Sequence, residues 1–235
     1  MDKSLDCWNR AASRYTNFDN ASPNSRFCKE FISNSLNDVA NLKILDAGCG
    51  AGEYVHLLTQ KGAHVTGIDG SAIMIELAKA KYPSYKFEIV NLHNKFSYQA
   101  GEFDMVFCNL VLMDIDPIEN TIGEFYRIIK SGGRFFFSII HPAYYLGKSD
   151  RDANGRQLAR KVSGYTKHIA VVQDFWGGTT HYHRPISHYL NTMSAAGFIL
   201  RRMYEPAYND ENNIQELPLY LFCEFSKQEK QEGQF

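Results

Sequence analysis

The sequence predicts an α/β fold in which a parallel sheet is covered by helices on both faces. Three observations lead to this prediction. Short apolar runs rich in Ile, Val and Phe recur between residues 43 and 140, helical patterns separate them, and a glycine-rich turn joins the first run to the first of these helices. Strands that alternate with helices are typical of parallel sheets, in which each strand is buried on both sides.

The first 40 residues predict an N-terminal helical cap. One helical face carries Trp8, Ala11, Ala12 and Tyr15, and a second helix follows around Phe31. The expected strands are then Lys43–Asp46, His64–Asp69, Tyr85–Val90, Phe103–Asn109 and Gly133–Ile140, separated by helices Glu53–Lys61, Ala72–Lys81 and Glu119–Ile129. Residues 131–133, Ser-Gly-Gly, are expected to end the third of these helices and to begin the fifth strand.

The pattern changes after residue 141, where glycines become frequent and no helical period is clear. A hairpin is expected from Thr166–Phe175 and Thr179–His183, followed by a helix over Pro185–Ala196 and strands Phe198–Glu205 and Leu219–Phe225. The chain is therefore interpreted as one domain. Its parts are the cap (1–40), a core (41–141), an inserted lid (142–184), the last helix and strands (185–226) and a flexible tail (227–235).

Composition narrows the class of protein. The 235 residues contain 25 Lys and Arg against 26 Asp and Glu, which gives no support for a nucleic-acid or anionic-membrane partner. The five cysteines form no Cys-x-x-Cys pair, so neither zinc nor a disulfide framework is expected. The longest apolar run, Phe135–Ile140, is too short to span a membrane, and residues 1–6 show no apolar signal core. A cytoplasmic protein is expected.

The turn over residues 45–52, Leu-Asp-Ala-Gly-Cys-Gly-Ala-Gly, is the most informative segment. Gly48, Gly50 and Gly52 allow the backbone to approach a ligand, and the helix that follows offers unpaired N–H groups. Asp46 precedes these glycines and argues against a pyrophosphate and for a ligand with an amine or hydroxyls. Asp69, at the end of the second strand, is placed to accept hydrogen bonds from ribose hydroxyls. Asp69 could instead serve only as a helix cap.

Two features separate this turn from a dinucleotide site. The dinucleotide fingerprint has a third glycine where this chain has Glu53, and the spacing here is Gly-x-Gly-x-Gly. Together with Asp46, this spacing disfavours NAD and FAD.

The ordered set of motifs resembles the class I S-adenosylmethionine-dependent methyltransferases. Within that class it is similar to the small-molecule branch called methyltransferase type 11 or ubiquinone-biosynthesis-like. The resemblance is carried by residues 45–52, Gly67-Ile68-Asp69-Gly70-Ser71, Phe103-Asp104-Met105-Val106, Leu112-Met113-Asp114 and Lys130-Ser131-Gly132-Gly133-Arg134. It implies a Rossmann-like, doubly wound sheet of seven strands, mostly parallel, with an antiparallel last strand. It also implies S-adenosylmethionine as the methyl donor and S-adenosylhomocysteine as the product.

The resemblance also implies a role for individual residues in holding the donor. Backbone around the glycines would face its methionine part, Asp46 would lie beneath, and Asp69 would bind the ribose. The implied cofactor-binding residues are Tyr15, Asp46, Gly48, Gly50, Gly52, Asp69, Gly70, Ser71, Met74, Asn91, Leu92, Asn109 and Leu110. The family often has Asp after the third strand, whereas this chain has Asn91 or Leu92 there. Tyr15 could close over the donor or be a packing residue.

The candidate catalytic residues are His141, His183 and Asp114. His141 directly follows the fifth strand, His183 belongs to the cluster His181-Tyr182-His183-Arg184-Pro185, and Asp114 follows the fourth strand. Histidine titrates near neutral pH and suits a general base. His141 could instead fix the turn before Pro142, and the hairpin face with the histidines could be solvated. No metal is expected, because His-x-His lacks further ligands at motif spacing.

Aromatic residues are concentrated in the lid and just after it. They are Tyr144, Tyr145, Tyr165, Phe175, Trp176, Tyr182 and Tyr189, which could form a small core, an acceptor pocket or both. The expected function is methyl transfer to an oxygen or nitrogen of a small metabolite, by a monomer or a homodimer. The alternatives are a methyltransferase acting on tRNA or protein, and a non-catalytic S-adenosylmethionine-binding subunit.

Overall fold

A computed structural model describes residues 3–155, 157–208 and 217–229. The helices are α1 Lys3–Ala21, α2 Pro23–Ser35, α3 Glu53–Gln60, α4 Ala72–Lys81, α5 Glu119–Ile128, α6 Pro142–Tyr145 and α7 Ile186–Ala195. The strands are β1 Lys43–Ala47, β2 His64–Asp69, β3 Lys86–Ile89, β4 Phe103–Asn109, β5 Ile129–Ile140, β6 Lys148–Arg151, β7 Gln157–Lys161, β8 Ile169–Gln173, β9 Thr179–His183, β10 Phe198–Tyr204 and β11 Tyr220–Lys227. Short 3₁₀ turns cover Leu112–Asp114 and Asp174–Trp176.

The main sheet has seven strands in the order β10-β11-β5-β4-β1-β2-β3. Strand β11 runs antiparallel to both of its neighbours, and the other contacts in the sheet are parallel. The expected mostly parallel sheet with a reversed last strand is confirmed. Strand β1 pairs with β2 on one side and with β4 on the other, so the strand order reverses there. Ligands bind in such sheets outside the carboxyl ends of the strands at this reversal.

The core consists of apolar layers on the two faces of this sheet. Along β5, Phe135 and Phe137 pack into the layer beneath α5 and α7, whereas Phe136 packs with Phe107 into the layer beneath α2. Successive side chains of a strand point to opposite faces, which explains how one run of phenylalanines serves both layers. Burial on both faces leaves the strand ends as the places where polar side chains can be exposed. The described part of the chain contains no helix long and apolar enough to cross a bilayer.

Strand β5 begins earlier than the sequence suggested. Helix α5 ends at Ile128 and β5 starts at Ile129, so Ser131 and Gly132 lie within the strand rather than before it. The register with β4 shifts in this region, and Gly132 has φ of +76°. Glycine tolerates that conformation and accommodates an irregularity inside a strand.

The lid contains two hairpins, and only one was expected. Strands β8 and β9 pair in antiparallel fashion as predicted, although β8 begins at Ile169 rather than Thr166 and the 3₁₀ turn separates the strands. The other hairpin, β6–β7, was missed. Its strands are mostly polar, so no apolar alternation indicates them. Of the expected tail, residues 230–235 lie outside the described residues.

Candidate functional site

A cleft opens at the carboxyl ends of β1, β2 and β4, and we call it the acidic cleft. The space inside it, counted out to the open solvent at its mouth, is about 720 Å³. It is lined by Ser4, Leu5, Trp8, Tyr15, Gly48, Gly50, Asp69, Gly70, Met74, Asn91, Leu92, His93, Asn109, Leu110, Val111, Asp114 and Ile115. Most of the residues expected to bind a cofactor are therefore brought together around one cavity.

The glycine turn forms the floor of the acidic cleft. The N–H groups of Gly48 and Cys49 both donate to the carbonyl of Ile68, at 2.8 and 2.9 Å, which ties the turn to β2. Gly48 has φ of +79°, and a Cβ there would lie 2.2 Å from a methyl of Val111. Gly50 has φ of +51°, but a Cβ there would meet no atom within 4 Å. Gly48 is thus needed for packing, whereas Gly50 leaves open space.

Two carboxyl groups adjoin this turn in different ways. Asp69 accepts hydrogen bonds from the N–H of Gly50 at 3.0 Å and of Ser71 at 2.8 Å, so it joins the turn to the start of α4. Asp46 is only 1% exposed, and its Oδ2 has no hydrogen-bond partner among the described residues. A buried polar atom without a partner is costly, and such an atom is a place where a ligand or water can bind.

The charge of the acidic cleft fits a cationic ligand. Burial raises the pKa of Asp46, and the nearby Asp69 carboxylate raises it further. Burial also raises the pKa of Asp69, although the two N–H donors oppose this, and burial followed by Asp69 raises the pKa of Asp114. No Lys or Arg is among the described lining residues. S-adenosylmethionine carries a sulfonium and an ammonium group, and opposite charges favour ionised carboxylates.

Helix α1 closes one side of the acidic cleft and is anchored to the start of α4. Ser71 donates from its Oγ to Asn9 Oδ1 at 2.7 Å and accepts from the N–H of Met74 at 3.2 Å. Leu5 packs on Gly70, where a Cβ would lie 2.5 Å from a Leu5 methyl. Ser71 is fully buried and is therefore a helix cap and anchor rather than a lining residue. Asn9 was not singled out from the sequence, because one polar residue on a helix gives no signal.

The remaining expected residues differ in how their polar atoms are used. The carbonyl of Leu92 accepts a hydrogen bond from Thr121 at 2.9 Å, and Asn91 Oδ1 accepts one from the N–H of His93 at 3.0 Å. Asn109 Oδ1 accepts a hydrogen bond from Ser138 at 2.6 Å. Gly52 does not line the cleft, and a Cβ there would lie 2.8 Å from the Phe87 ring.

A second cavity, which we call the aromatic chamber, shares four lining residues with the acidic cleft. The shared residues are Trp8, Tyr15, Leu110 and Asp114. The others are Phe18, Asn24, Met113, Ile140, Trp176, His181, Leu219 and Tyr220. Leu110 has φ of +56°, a conformation that non-glycine residues rarely adopt, at the end of β4 between the two cavities.

Asp114 meets His181 inside the aromatic chamber. Asp114 Oδ1 lies 3.2 Å from His181 Nε2, and His181 Nδ1 lies 3.1 Å from the hydroxyl of Tyr145. That hydroxyl accepts a hydrogen bond from Gln173 at 2.6 Å. Burial lowers the pKa of His181 to about 4. At neutral pH this imidazole is therefore uncharged.

Arg184 holds the segment that carries Asp114. Its guanidinium is buried, donates to Asp116 Oδ1 at 2.7 Å and to the carbonyl of Ile115, and also contacts the carbonyl of Leu112 at 3.4 Å. These contacts tie the end of β9 to the 3₁₀ turn after β4. A single arginine in a polar segment does not reveal this role in the sequence.

The two expected catalytic histidines lie outside the lining of both cavities. His183 is buried, and its Nε2 is 2.9 Å from the carbonyl of Tyr165. His141 is 2% exposed, accepts the N–H of Ala143 at 3.3 Å as the cap of α6, and places Nε2 2.6 Å from Glu205. Of the three expected catalytic residues, Asp114 alone lines the cavities. The shared face of His181 and His183 is buried rather than solvated.

Comparison with known proteins relates this geometry to one family. The methyltransferase domain family model matches residues 45–137. The ubiquinone biosynthesis O-methyltransferase of Thiobacillus denitrificans is 30% identical over 138 residues, which are 56% of this chain and 60% of that protein. The arsenite methyltransferase of Rattus norvegicus is 30% identical over 151 residues, covering 56% of this chain and 40% of that protein. The chain thus spans about half the length of these curated relatives.

The structural comparison covers more of the chain. The crystal structure of an S-adenosylmethionine dependent methyltransferase from Mesorhizobium loti matches with a TM-score of 0.72 at 25% identity, covering 81% of this chain and 93% of that one. The matched residues 45–137 include the glycine turn, Asp69 and the segment with Asp114. Over these residues, and in its overall fold, the chain is similar to S-adenosylmethionine-dependent methyltransferases.

Proposed function

We propose that this protein transfers a methyl group from S-adenosylmethionine to an oxygen or nitrogen of a small molecule. The observation that supports this function is the junction of two cavities of different character. The acidic cleft suits a cationic donor, the aromatic chamber suits an apolar acceptor, and both are lined by Tyr15, Leu110 and Asp114. A donor and an acceptor bound in adjoining cavities can be aligned for direct transfer, and such alignment provides much of the catalysis.

Residues at the strand ends would hold the donor, which supplies a methyl carbon already activated by a sulfonium sulfur. Asp69 would accept hydrogen bonds from the ribose hydroxyls, since each carboxylate oxygen can accept more than one. The open backbone at Gly50 would lie against the methionine part, and Gly48 would keep the turn in shape. Asp46 would lie beneath the turn and would bind the donor through its unpartnered Oδ2. Gly52 would support the turn from the start of α3.

Residues beyond β2 and β3 would surround the adenine. The thioether of Met74 suits a flat aromatic ring, and Gly70 permits the close packing of α1 over this end. The side chain of Asn91 and the backbone at Leu92 would face the ring edge. Ser71 would act indirectly, because its hydroxyl caps α4 and binds Asn9.

Residues after β4 would border the end of the donor that reacts. Asn109 would be held by Ser138, Leu110 would separate the two cavities, and Tyr15 would cover the junction from α1. Asp114 would be the proton-accepting group nearest to both ligands. His141 and His183 would position α6 and β9, since their ring nitrogens already contact protein atoms.

Calorimetric titration with S-adenosylmethionine and S-adenosylhomocysteine tests the donor half. We expect Asp69→Ala to weaken the binding of both by roughly 10- to 100-fold, because hydrogen bonds to a charged group are lost. Asp104→Ala is a matched control, since Asp104 also accepts a backbone N–H, from Lys43 at 2.8 Å, but lies outside the acidic cleft. The donor role is excluded if the wild-type protein binds neither compound or if both variants bind equally well.

Release of S-adenosylhomocysteine tests the acceptor half. We expect release with a deproteinised small-molecule extract and none with bulk RNA or unfolded protein. Release only with RNA or protein would instead support a macromolecular acceptor. Tight donor binding without release in any extract would support a non-catalytic binding subunit.

A further inference from the structure

The aromatic chamber surrounds one acidic group with five aromatic rings. Its lining includes Trp8, Tyr15, Phe18, Trp176 and Tyr220 together with Asp114. The rings come from α1, from the 3₁₀ turn after β8 and from the start of β11, so three separate segments contribute them. Four of them, Trp8, Tyr15, Phe18 and Trp176, contact one another in edge-to-face pairs.

The edge-to-face contacts fix these rings in place. The ring centroids of Trp8 and Tyr15 are 5.4 Å apart, those of Tyr15 and Trp176 are 5.1 Å apart, and those of Phe18 and Trp176 are also 5.1 Å apart. Trp8, Tyr15 and Trp176 remain partly exposed, so they are not closed into a dry core. Aromatic faces carry partial negative charge and attract cations within about 6 Å.

The charges around the aromatic chamber also favour a cationic ligand. No Lys or Arg is among its described lining residues, and its only titratable groups besides tyrosines are Asp114 and the uncharged His181. Burial raises the pKa of Tyr15, and the Asp19 and Asp114 carboxylates raise it further. An anionic ligand would therefore meet like charge without a counter-cation, whereas a cation would meet a carboxylate and several ring faces.

We propose that the aromatic chamber binds an amine in its ammonium form and that Asp114 Oδ1 receives a proton from its nitrogen. This proposal rests on the proposed function and names the acceptor class, a primary or secondary amine attached to an apolar group. The buried Oδ1 lies 3.2 Å from His181 Nε2 and accepts no other contact from the described residues, so a lone pair remains that can accept an N–H of the ligand. Loss of that proton breaks one N–H bond and forms one O–H bond, and the nitrogen keeps the electron pair as its lone pair.

Asp114 is a better proton acceptor than its neighbour His181. Burial raises the pKa of the carboxyl group and lowers that of the imidazole to about 4. His181 is instead held from both sides, by Asp114 at 3.2 Å and by the Tyr145 hydroxyl at 3.1 Å. His181 is therefore a positioning residue for the Asp114 carboxyl group. Arg184 restrains the segment that carries Asp114 through its contacts with Leu112 and Asp116.

Intrinsic fluorescence provides a direct test, because the chain has two tryptophans and both line the aromatic chamber. The probes are benzyltrimethylammonium and its uncharged isostere neopentylbenzene, neither of which can be methylated at a free N–H. Titrations are made with and without saturating S-adenosylhomocysteine. We expect the cation to quench the tryptophans with an affinity at least about 10-fold higher than that of the isostere.

Two variants identify the source of this preference. Asp114→Asn keeps the shape and removes the charge, and we expect it to lower the cation affinity by about 10-fold while neopentylbenzene binds as before. Glu76→Gln is the control, because it removes one exposed carboxylate on α4 outside both cavities. Thermal unfolding of each variant shows whether it is folded.

Each other outcome overturns the proposal. Equal or tighter binding of neopentylbenzene, or no quenching by either probe at millimolar concentration, excludes an ammonium site. Unchanged cation affinity in Asp114→Asn excludes the role of the carboxylate. The proposed function is tested by a different experiment. If calorimetry shows no binding of S-adenosylmethionine, the proposed function fails, but the fluorescence titration with the cation in the absence of cofactor still tests the ammonium site.

Discussion

Replacement of Gly48 or Gly50 by alanine tests which glycine of the turn is needed for stability and which for ligand binding. Both glycines have positive φ, so alanine is strained at either position by about 1–2 kcal/mol. At Gly48 the new Cβ would also lie 2.2 Å from Val111, which adds about 1–3 kcal/mol of overpacking. At Gly50 no atom lies within 4 Å, and the Cβ would enter the acidic cleft.

The expected losses of unfolding free energy are therefore about 2–5 kcal/mol for Gly48→Ala and about 1–2 kcal/mol for Gly50→Ala. For each kcal/mol of unfolding free energy that is lost, Gly50→Ala should lose more ligand affinity than Gly48→Ala. We expect Gly50→Ala to bind S-adenosylhomocysteine at least about 10-fold more weakly than wild type, since the added methyl occupies space that the ligand needs. Urea unfolding and calorimetry measure the two quantities on the same samples.

Gly155→Ala is the matched control for backbone strain. Gly155 has φ of +81° in the turn between β6 and β7, and a Cβ there also meets no atom within 4 Å. It should lose about the same 1–2 kcal/mol and keep full affinity. Equal affinities for Gly50→Ala, Gly155→Ala and wild type would refute the placement of the ligand against Gly50.

Three further predictions concern polar groups that are buried or partly buried. Asp46→Asn should raise stability at pH 8, because the raised pKa means that the folded state disfavours the charged carboxylate. The gain in stability should vanish as pH falls below 3.8. The affinity for the donor should fall at every pH at which the wild-type carboxylate is charged. Glu53→Gln should lower stability by at most about 1 kcal/mol at pH 7. Burial raises the pKa of Glu53, but the hydrogen bonds from Lys81 and Tyr82 and the charges of Lys29 and Lys81 together outweigh burial and lower it. The loss should therefore shrink as pH falls below 4.5 and vanish below the lowered pKa of the folded state. His141→Asn should keep turnover if His141 only caps α6, whereas abolished turnover with unchanged unfolding temperature would restore its role as a base.

Much of the donor side could be predicted from the sequence because its signals are local. A buried strand, its terminal acid and the glycine turn lie within a few residues, and Asp69 follows at the end of the next strand. The direction of each strand then brings these groups to one edge of the sheet. The family resemblance added the strand order and the reversed β11, which no local pattern contains.

The acceptor side could not be predicted in the same way because its contacts are between distant segments. Alternation along β9 places His181 and His183 on one face, yet the packing of the turn after β4 decides which of them meets Asp114. Arg184 sets that packing through backbone carbonyls, whose positions depend on the folded chain. The β6–β7 hairpin is likewise stabilised by pairing between polar strands.

The origin of the chamber walls has an evolutionary consequence. The rings of Trp8 and Tyr15 come from α1 and that of Trp176 from the lid, whereas the sheet contributes the floor of the acidic cleft. Substitutions in these two surface segments can reshape the acceptor space without disturbing the strands that carry the donor residues. Under the proposed function, the preference for an acceptor would then change through substitutions in α1 and the lid while the residues at the strand ends stay the same.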